Sequence, residues 1–157
     1  MPHELKNGHW LVSDDRALLD MDVVHGFLSA CYWSHSIPRP LLEKAVAASI
    51  PFGVYDTSHG RRQVGFSRVV SDRATFAYIA DVFIIEPCRG RGLSKLMMRC
   101  LLEHPDLQGL RRICLLTRDA HGLYAKFGFT GLDNPGSFML INRRDMYRTP
   151  APTSCCS

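Results

Sequence analysis

Apolar positions along the chain change period several times, and each change marks an element. Residues 9–12, His-Trp-Leu-Val, predict a short first strand, with turn and cap chemistry following at Ser13, Asp14 and Asp15. Over residues 18–32 the apolar Leu19, Val23, Phe27 and Ala30 recur at helical spacing, which predicts a helix. Residues 33–40 contain Pro38 and Pro40 and are predicted as loop, because proline removes a helical N–H donor. A second short helix is predicted over 41–49. Residues 52–56 and 63–70 read as a hairpin around the turn 57–60, and a long strand follows over 74–85. Leu93, Leu96, Met97, Cys100 and Leu101 share one face of a main helix over 92–103, stopped by Pro105. Residues 112–116 are nearly all apolar, as expected of a buried parallel strand. A helix over 120–127 ends at Gly128, and 138–141 predicts a last strand. The order β-α-α-β-β-β-α-β-α-β predicts an α/β fold, a single domain over residues 1–148 with a central mixed sheet and helices on both faces. Residues 149–157, rich in Pro, Thr, Ser and Cys, predict a disordered tail.

Between the long strand and the main helix lies Glu86-Pro87-Cys88-Arg89-Gly90-Arg91-Gly92-Leu93-Ser94-Lys95. A strand, a basic glycine turn and a helix start in that order build an anion site. Glycines let successive N–H groups converge, and the helix start adds about half an elementary charge. Arg89 and Arg91 add full charges. Two common phosphate loops are excluded. The spacing lacks the Gly-x-x-x-x-Gly-Lys-Ser/Thr of a nucleotide triphosphate loop, and Lys95 stands where a dinucleotide fingerprint needs its third glycine.

What remains, Arg89-x-x-Gly92-x-Ser94, resembles the coenzyme-A loop of the GCN5-related N-acetyltransferases (GNAT), Arg/Gln-x-x-Gly-x-Gly/Ala. Ser94 departs from the last position but is small. A second segment, Ala120-His121-Gly122-Leu123-Tyr124-Ala125-Lys126-Phe127-Gly128-Phe129, is similar to the Ala-x-x-Leu-Tyr-x-x-x-Gly-Phe signature of the same family. The resemblance covers residues 54–141 well and the N-terminal third loosely. It implies the GNAT acyl-CoA N-acyltransferase fold, with acetyl-CoA as acetyl donor and no metal. The strands flanking the main helix would splay, and the opened edge at Val82, Phe83 and Ile84 would bind the pantetheine amides. Arg89, Gly90, Arg91, Gly92, Leu93 and Ser94 would cradle the pyrophosphate, with Lys95 beside them. Thr117 occupies the place of a frequent pantetheine-binding asparagine and can make only part of that contact.

Acetyl transfer to an amine needs a neutral nucleophile, a proton donor for the departing sulfur and accurate positioning. By resemblance Tyr124 is the proton donor. Asp81 stands mid-strand in an apolar run, where a carboxylate is costly unless it is paired or faces a cleft. Its place resembles the central-strand carboxylate that some family members use as a base, directly or through water, which makes it the candidate base, or alternatively a structural carboxylate bonded to backbone or to an arginine. Cys88 invites a covalent acyl-enzyme, but no base partner for it is evident. His121, near the start of the tyrosine helix, is either a pocket residue or an exposed histidine behind an Asp119 cap. Tyr32, Trp33, His35 and Ser36, with Phe66 and Arg68, are candidates for the acceptor side.

Composition narrows the partners. Hydrophobic content of 46% and charged content of 22% fit a soluble globular domain, and no apolar run is long enough to span a bilayer. The start of the chain lacks the apolar core of a secretory leader, and its cysteines match no zinc or disulfide scaffold, so a cytoplasmic setting is expected. A net charge of +4 is dispersed, which disfavours nucleic acid against a small polyanionic ligand. The expected activity is acetyl transfer to a primary amine, preferentially of a small molecule, by direct attack in a ternary complex. Protein or peptide amines, and a non-catalytic acyl-CoA-binding sensor or partner module, are the alternatives. The resemblance also allows a homodimer.

Overall fold

The computed structural model describes residues 1–148, so the tail expected at 149–157 lies outside the described residues. Strand β1 (Glu4–Asn7) and strand β2 (Trp10–Ser13) form an antiparallel hairpin closed by the turn Gly8-His9. The pattern hides β1 because Glu-Leu-Lys-Asn holds one apolar residue; pairing with β2 supplies what propensity does not. Strands β3 (Ile50–Asp56), β4 (Arg62–Ser71) and β5 (Phe76–Ile84) continue antiparallel, and β6 (Arg112–Leu115) joins β5 in parallel. The result is one six-stranded sheet in sequence order, the mixed sheet that the element pattern predicts. Asp72 closes the β4–β5 turn by accepting the N–H groups of Ala74, Thr75 and Phe76 and the Thr75 hydroxyl. Those bonds hold its carboxyl well below the usual range.

Helices cover both faces. α1 (Met21–Leu28) is shorter than the predicted 18–32. Residues Arg16–Leu18 form a 3-10 turn instead, and the Asp20 carboxylate caps α1 by accepting from Asp22 and Val23 N–H. α2 (Arg39–Ala47) starts before the predicted 41 because Pro40 sits in its first turn, where a missing N–H costs nothing. These two helices pack Val24, Leu28, Leu42 and Val46 onto Phe66 and Phe83 of the sheet. On the other face α3 (Leu93–Leu102) buries Leu93, Leu96, Met97, Met98, Cys100 and Leu101 against Val12, Phe52, Val54, Val69 and Ile79. α4 (His121–Ala125) follows β6.

The strand expected at 138–141 does not form. A 3-10 turn at Pro135–Ser137 leads into irregular chain, and Phe138, Met139, Leu140 and Ile141 are exposed. Apolar β-formers make a strand only where a paired edge receives them, and β6 pairs with β5 alone.

Two irregularities in β5 shape the site. Its pairing with β6 runs from Phe76↔Arg112 to Ile79↔Leu115 and stops there, while its pairing with β4 continues to Gly65↔Ile84. From Ala80 onward β5 therefore presents an open edge on the β6 side. The second is a bulge. Phe66 faces Phe83 and Arg68 faces Ala80, which leaves Ser67 opposite both Asp81 and Val82. Asp81 takes the strain with φ of 57°, a conformation rare for a residue other than glycine.

Candidate active site

The turn after β5 is shaped by its glycines. Glu86–Cys88 forms a 3-10 turn, then Gly90 (φ 75°) and Gly92 (φ 76°) take left-handed conformations that a side chain would strain. Gly92 is also the N-cap residue of α3. Leu96 N–H is the first to bond back into the helix, to Gly92 C=O. Among the described residues, no hydrogen bond uses the N–H groups of Gly90, Arg91, Gly92, Leu93, Ser94 or Lys95. This run of free donors at a helix start has the geometry and charge that suit a polyanion. A cavity of about 210 Å³ lies at this turn, lined by Gly90, Gly92, Leu93, Ser94 and Lys95 together with Ile84, Cys88, Arg89 and Leu123. Arg91 is exposed and does not line it, and the Leu93 side chain is buried in the core, leaving its N–H for the turn. The Arg89 side chain is tied back, its Nε donating to Ile84 C=O at 3.0 Å.

A second cavity of about 440 Å³ adjoins the first, sharing Ile84, Arg89, Ser94 and Leu123. It brings Val82, Phe83 and Ile84 of the open β5 edge to Tyr124 of α4, and to Phe27, Ala30, Cys31, Tyr32 and Trp33 from the end of α1 and the loop after it. Tyr124 is buried, with its ring against Phe129 at 5.9 Å between centroids. Burial pushes its hydroxyl above the ordinary value, and among the described residues no hydrogen bond holds that hydroxyl. Thr117 lines neither cavity. Its Oγ1 accepts the N–H of Ala120 at 3.0 Å, so Thr117, not Asp119, caps the turn into α4. His121 is exposed and lines neither cavity. Cys88 is buried in the core, and the Cys31 thiol, nearer the reacting region, is pushed up to about 11, chiefly by burial.

Asp81 lines neither cavity but is joined through Trp33 to the wall of the larger one, in a side-chain network. Its Oδ2 accepts from Arg68 Nε at 2.5 Å, and its Oδ1 accepts from Trp33 Nε1 at 3.2 Å. Arg68 Nη1 also donates to Ser49 Oγ at 3.2 Å, and Arg16 donates to the backbone carbonyls of Val46 and Ser49. The network fastens the loop after α1 and the end of α2 to the bulge in β5. His35 points elsewhere, pairing with Ser36 at an exposed position. Pattern reading overlooks Phe27, Ala30, Cys31 and Leu123 as cavity residues; in the sequence Phe27 and Leu123 stand out only as apolar helix positions.

The sequence and the fold that carry this helix start, open strand edge and buried tyrosine have counterparts in known proteins. Residues 21–129 match the model of the acetyltransferase (GNAT) family. The chain belongs to the GNAT family. A solved candidate acetyltransferase of the GNAT family from Xanthomonas campestris is 46% identical and superposes with a TM-score of 0.86, covering 92% of this chain and 100% of its own. A candidate acetyltransferase of Gibberella zeae is 34% identical over 145 residues, 80% of this chain and 81% of that protein. A Mycobacterium tuberculosis protein solved in complex with CoA has the same fold at 21% identity and a TM-score of 0.62, covering 78% of this chain and 72% of its own. As a GNAT protein, the chain carries both family segments in the places where its structure opens the cleft, the first at the cradle and the second at α4. No helix among the described residues is long and apolar enough to cross a membrane.

Proposed function

We propose that this GNAT protein transfers an acetyl group from acetyl-CoA to the primary amine of a small molecule, by direct attack in a ternary complex. The observation that carries the reading is continuity. The free N–H groups from Gly90 to Lys95, the open edge at Val82, Phe83 and Ile84, and Tyr124 border two adjoining cavities that run from the helix start to the acceptor-side loop. Acetyl-CoA supplies an activated thioester. The cradle formed by Arg89, Gly90, Arg91, Gly92, Leu93 and Ser94 binds its pyrophosphate through backbone N–H groups and positive charge. The β5 edge orients the pantetheine arm, and Thr117, which lines neither cavity, acts on it only through the turn into α4 that its hydroxyl caps.

Tyr124 then gives its proton to the departing sulfur. Its raised pKa keeps that proton in place through the neutral range. The amine nitrogen forms the new C–N bond as the C–S bond breaks, and the proton lost from nitrogen passes to Asp81, directly or through water. Asp81 is the carboxylate that neighbours the cavity, and each of its oxygens retains a lone pair beyond the bonds to Arg68 and Trp33. The test is a thermal melt with acetyl-CoA, with ATP and NAD as controls, followed by release of free CoA thiol on adding amines. A selective shift with transfer supports the reading. A selective shift with no transfer to a broad panel replaces it with a non-catalytic acyl-CoA-binding module.

A further inference from the structure

Resting on that reading, we infer that the acceptor is a monoamine whose amino group sits on a short arm from a flat apolar body, and not a polyamine or a lysine side chain. The walls of the larger cavity are the first argument. Phe27, Tyr32, Trp33, Phe83 and Tyr124 line it, and no acidic side chain does. Such a surface gains from covering an apolar ring and loses from burying an unpaired charge.

Charge is the second argument. A polyamine carries further ammonium groups that need acidic partners, and a lysine side chain brings a flexible alkyl stem with no ring to cover the aromatic walls. The neighbouring carboxylate, Asp81, already has one oxygen on the Arg68 guanidinium and the other on the Trp33 indole. The remaining charges around the cavity are positive: Arg89 lines it, and Arg118 lies over the Tyr32 ring at 4.2 Å. A second ammonium would meet like charges. The same positive surroundings favour the neutral form of a single amine, which is the form that attacks.

Aromatic walls can also hold cations over their faces, but here one face of each of three rings is already covered. Phe27 and Phe83 stack on each other at 3.9 Å with planes 8° apart, and Tyr32 is covered by Arg118. Trp33 meets the Tyr32 ring nearly at right angles, at 5.1 Å. What is left to an acceptor is the remaining ring surface and alkyl groups, which suit a slim apolar body.

The experiment measures thiol release from acetyl-CoA with 2-phenylethylamine, tryptamine, spermidine and an N-terminally blocked lysine peptide. We expect kcat/KM for the aromatic monoamines to exceed the others by about tenfold or more. A preference for spermidine or the peptide overturns this inference and leaves acetyl transfer standing. Transfer to none of the four, with the acetyl-CoA melt shift present, overturns both. Ala30→Glu supplies the control, since Ala30 lines the cavity yet is exposed and tolerates a larger side chain. Its added carboxylate should move the ratio of spermidine to phenylethylamine turnover up by about tenfold. An unmoved ratio would mean that wall charge does not select the acceptor.

Discussion

The two halves of the cleft, one proposed for the coenzyme and one for the acceptor, are built by different means. The cradle is backbone: N–H groups from Gly90 to Lys95, aimed by left-handed glycines and the first turn of α3, all within one short stretch of chain. The acceptor half is side chains gathered from afar. Arg16, Trp33, Ser49, Arg68 and Asp81 meet only because α1, α2, β4 and β5 pack together. A backbone site tolerates changes of side chain except at its glycines. A side-chain site depends on every member, and its specificity can change one residue at a time.

The sharpest way to separate chemistry from binding is Tyr124→Phe. It removes one hydroxyl that no described residue holds, so the fold and coenzyme affinity should persist. If Tyr124 is the acid, kcat should fall by about 10²–10⁴-fold with the acetyl-CoA melt shift unchanged; undiminished turnover would remove the assignment. Burial raises the pKa of this hydroxyl, so in the native enzyme the alkaline limb of kcat should lie above the ordinary tyrosine value of 10.0. The same sign applies to stability. Tyr55 is also raised, by burial, and Cys100 is pushed up to about 12. These groups are held neutral in the fold. Their contribution is complete below the ordinary thiol and phenol values of 9.0 and 10.0 and is lost as pH rises through the higher folded values. Melting temperature should therefore change little on their account below pH 9 and fall above it.

The next effect belongs to the acceptor half. Asp81→Asn keeps the size and suits the left-handed backbone, so it isolates the charge. Arg68 would be left largely buried without its partner, at a cost of about 3 kcal/mol, or a loss of roughly 5–10 °C in melting temperature. The melt shift with acetyl-CoA should survive, because no part of the cradle touches this network. The rate–pH profile decides between the two roles of Asp81. A base requires the rise of rate with pH to flatten in the variant. A partner that only fixes Arg68 and Trp33 predicts a lower rate with the same profile.

The same contrast governs what is legible in the sequence. Both family segments are contiguous, so the cradle and Tyr124 can be named from the order of residues alone. Asp81 is conspicuous because an aspartate amid Ile79, Ala80, Val82 and Phe83 has to be paired or face a cleft. That its partners are Arg68 and Trp33 stays hidden, because no local pattern encodes a contact between residues far apart in sequence. The bulge is hidden for the same reason, since it exists only as a mismatch between two strands. Among the elements, β3, β4, β5 and α3 follow their periodicity closely. β1 is masked by its polar residues, and 138–141 shows the opposite failure, strand chemistry that pairs with no edge of the sheet.

Gly92→Val tests the backbone half. At φ of 76° a β-branched residue strains the start of α3, and the conformational cost alone should be about 1–2 kcal/mol. No heavy atom lies within 4 Å of the point where a Cβ would stand, so the effect is one of backbone conformation and not of crowding. The turn should re-aim its N–H groups, weakening acetyl-CoA by about tenfold or more while leaving the Asp81 network and its stability contribution intact. Ser94→Ala should do much less, since its backbone N–H remains.

The smallest effect falls where the two halves touch. Arg118, in the segment leading to α4, lies over Tyr32 of the acceptor-side loop, and both are well exposed. A cation over an exposed ring contributes about 0.5–1 kcal/mol. Among the described residues its one charged neighbour within reach is Asp119 at 3.8 Å, also exposed, which adds little. Arg118→Ala should therefore barely change the melting temperature and leave the cradle alone. If the clasp holds the acceptor-side loop against α4, the acceptor KM should rise about two- to fivefold, the equivalent of that contact, with kcat and coenzyme affinity unchanged. A parallel fall in kcat would mean instead that the contact helps position Tyr124 itself, so that the acceptor half reaches into the chemistry as well as the binding.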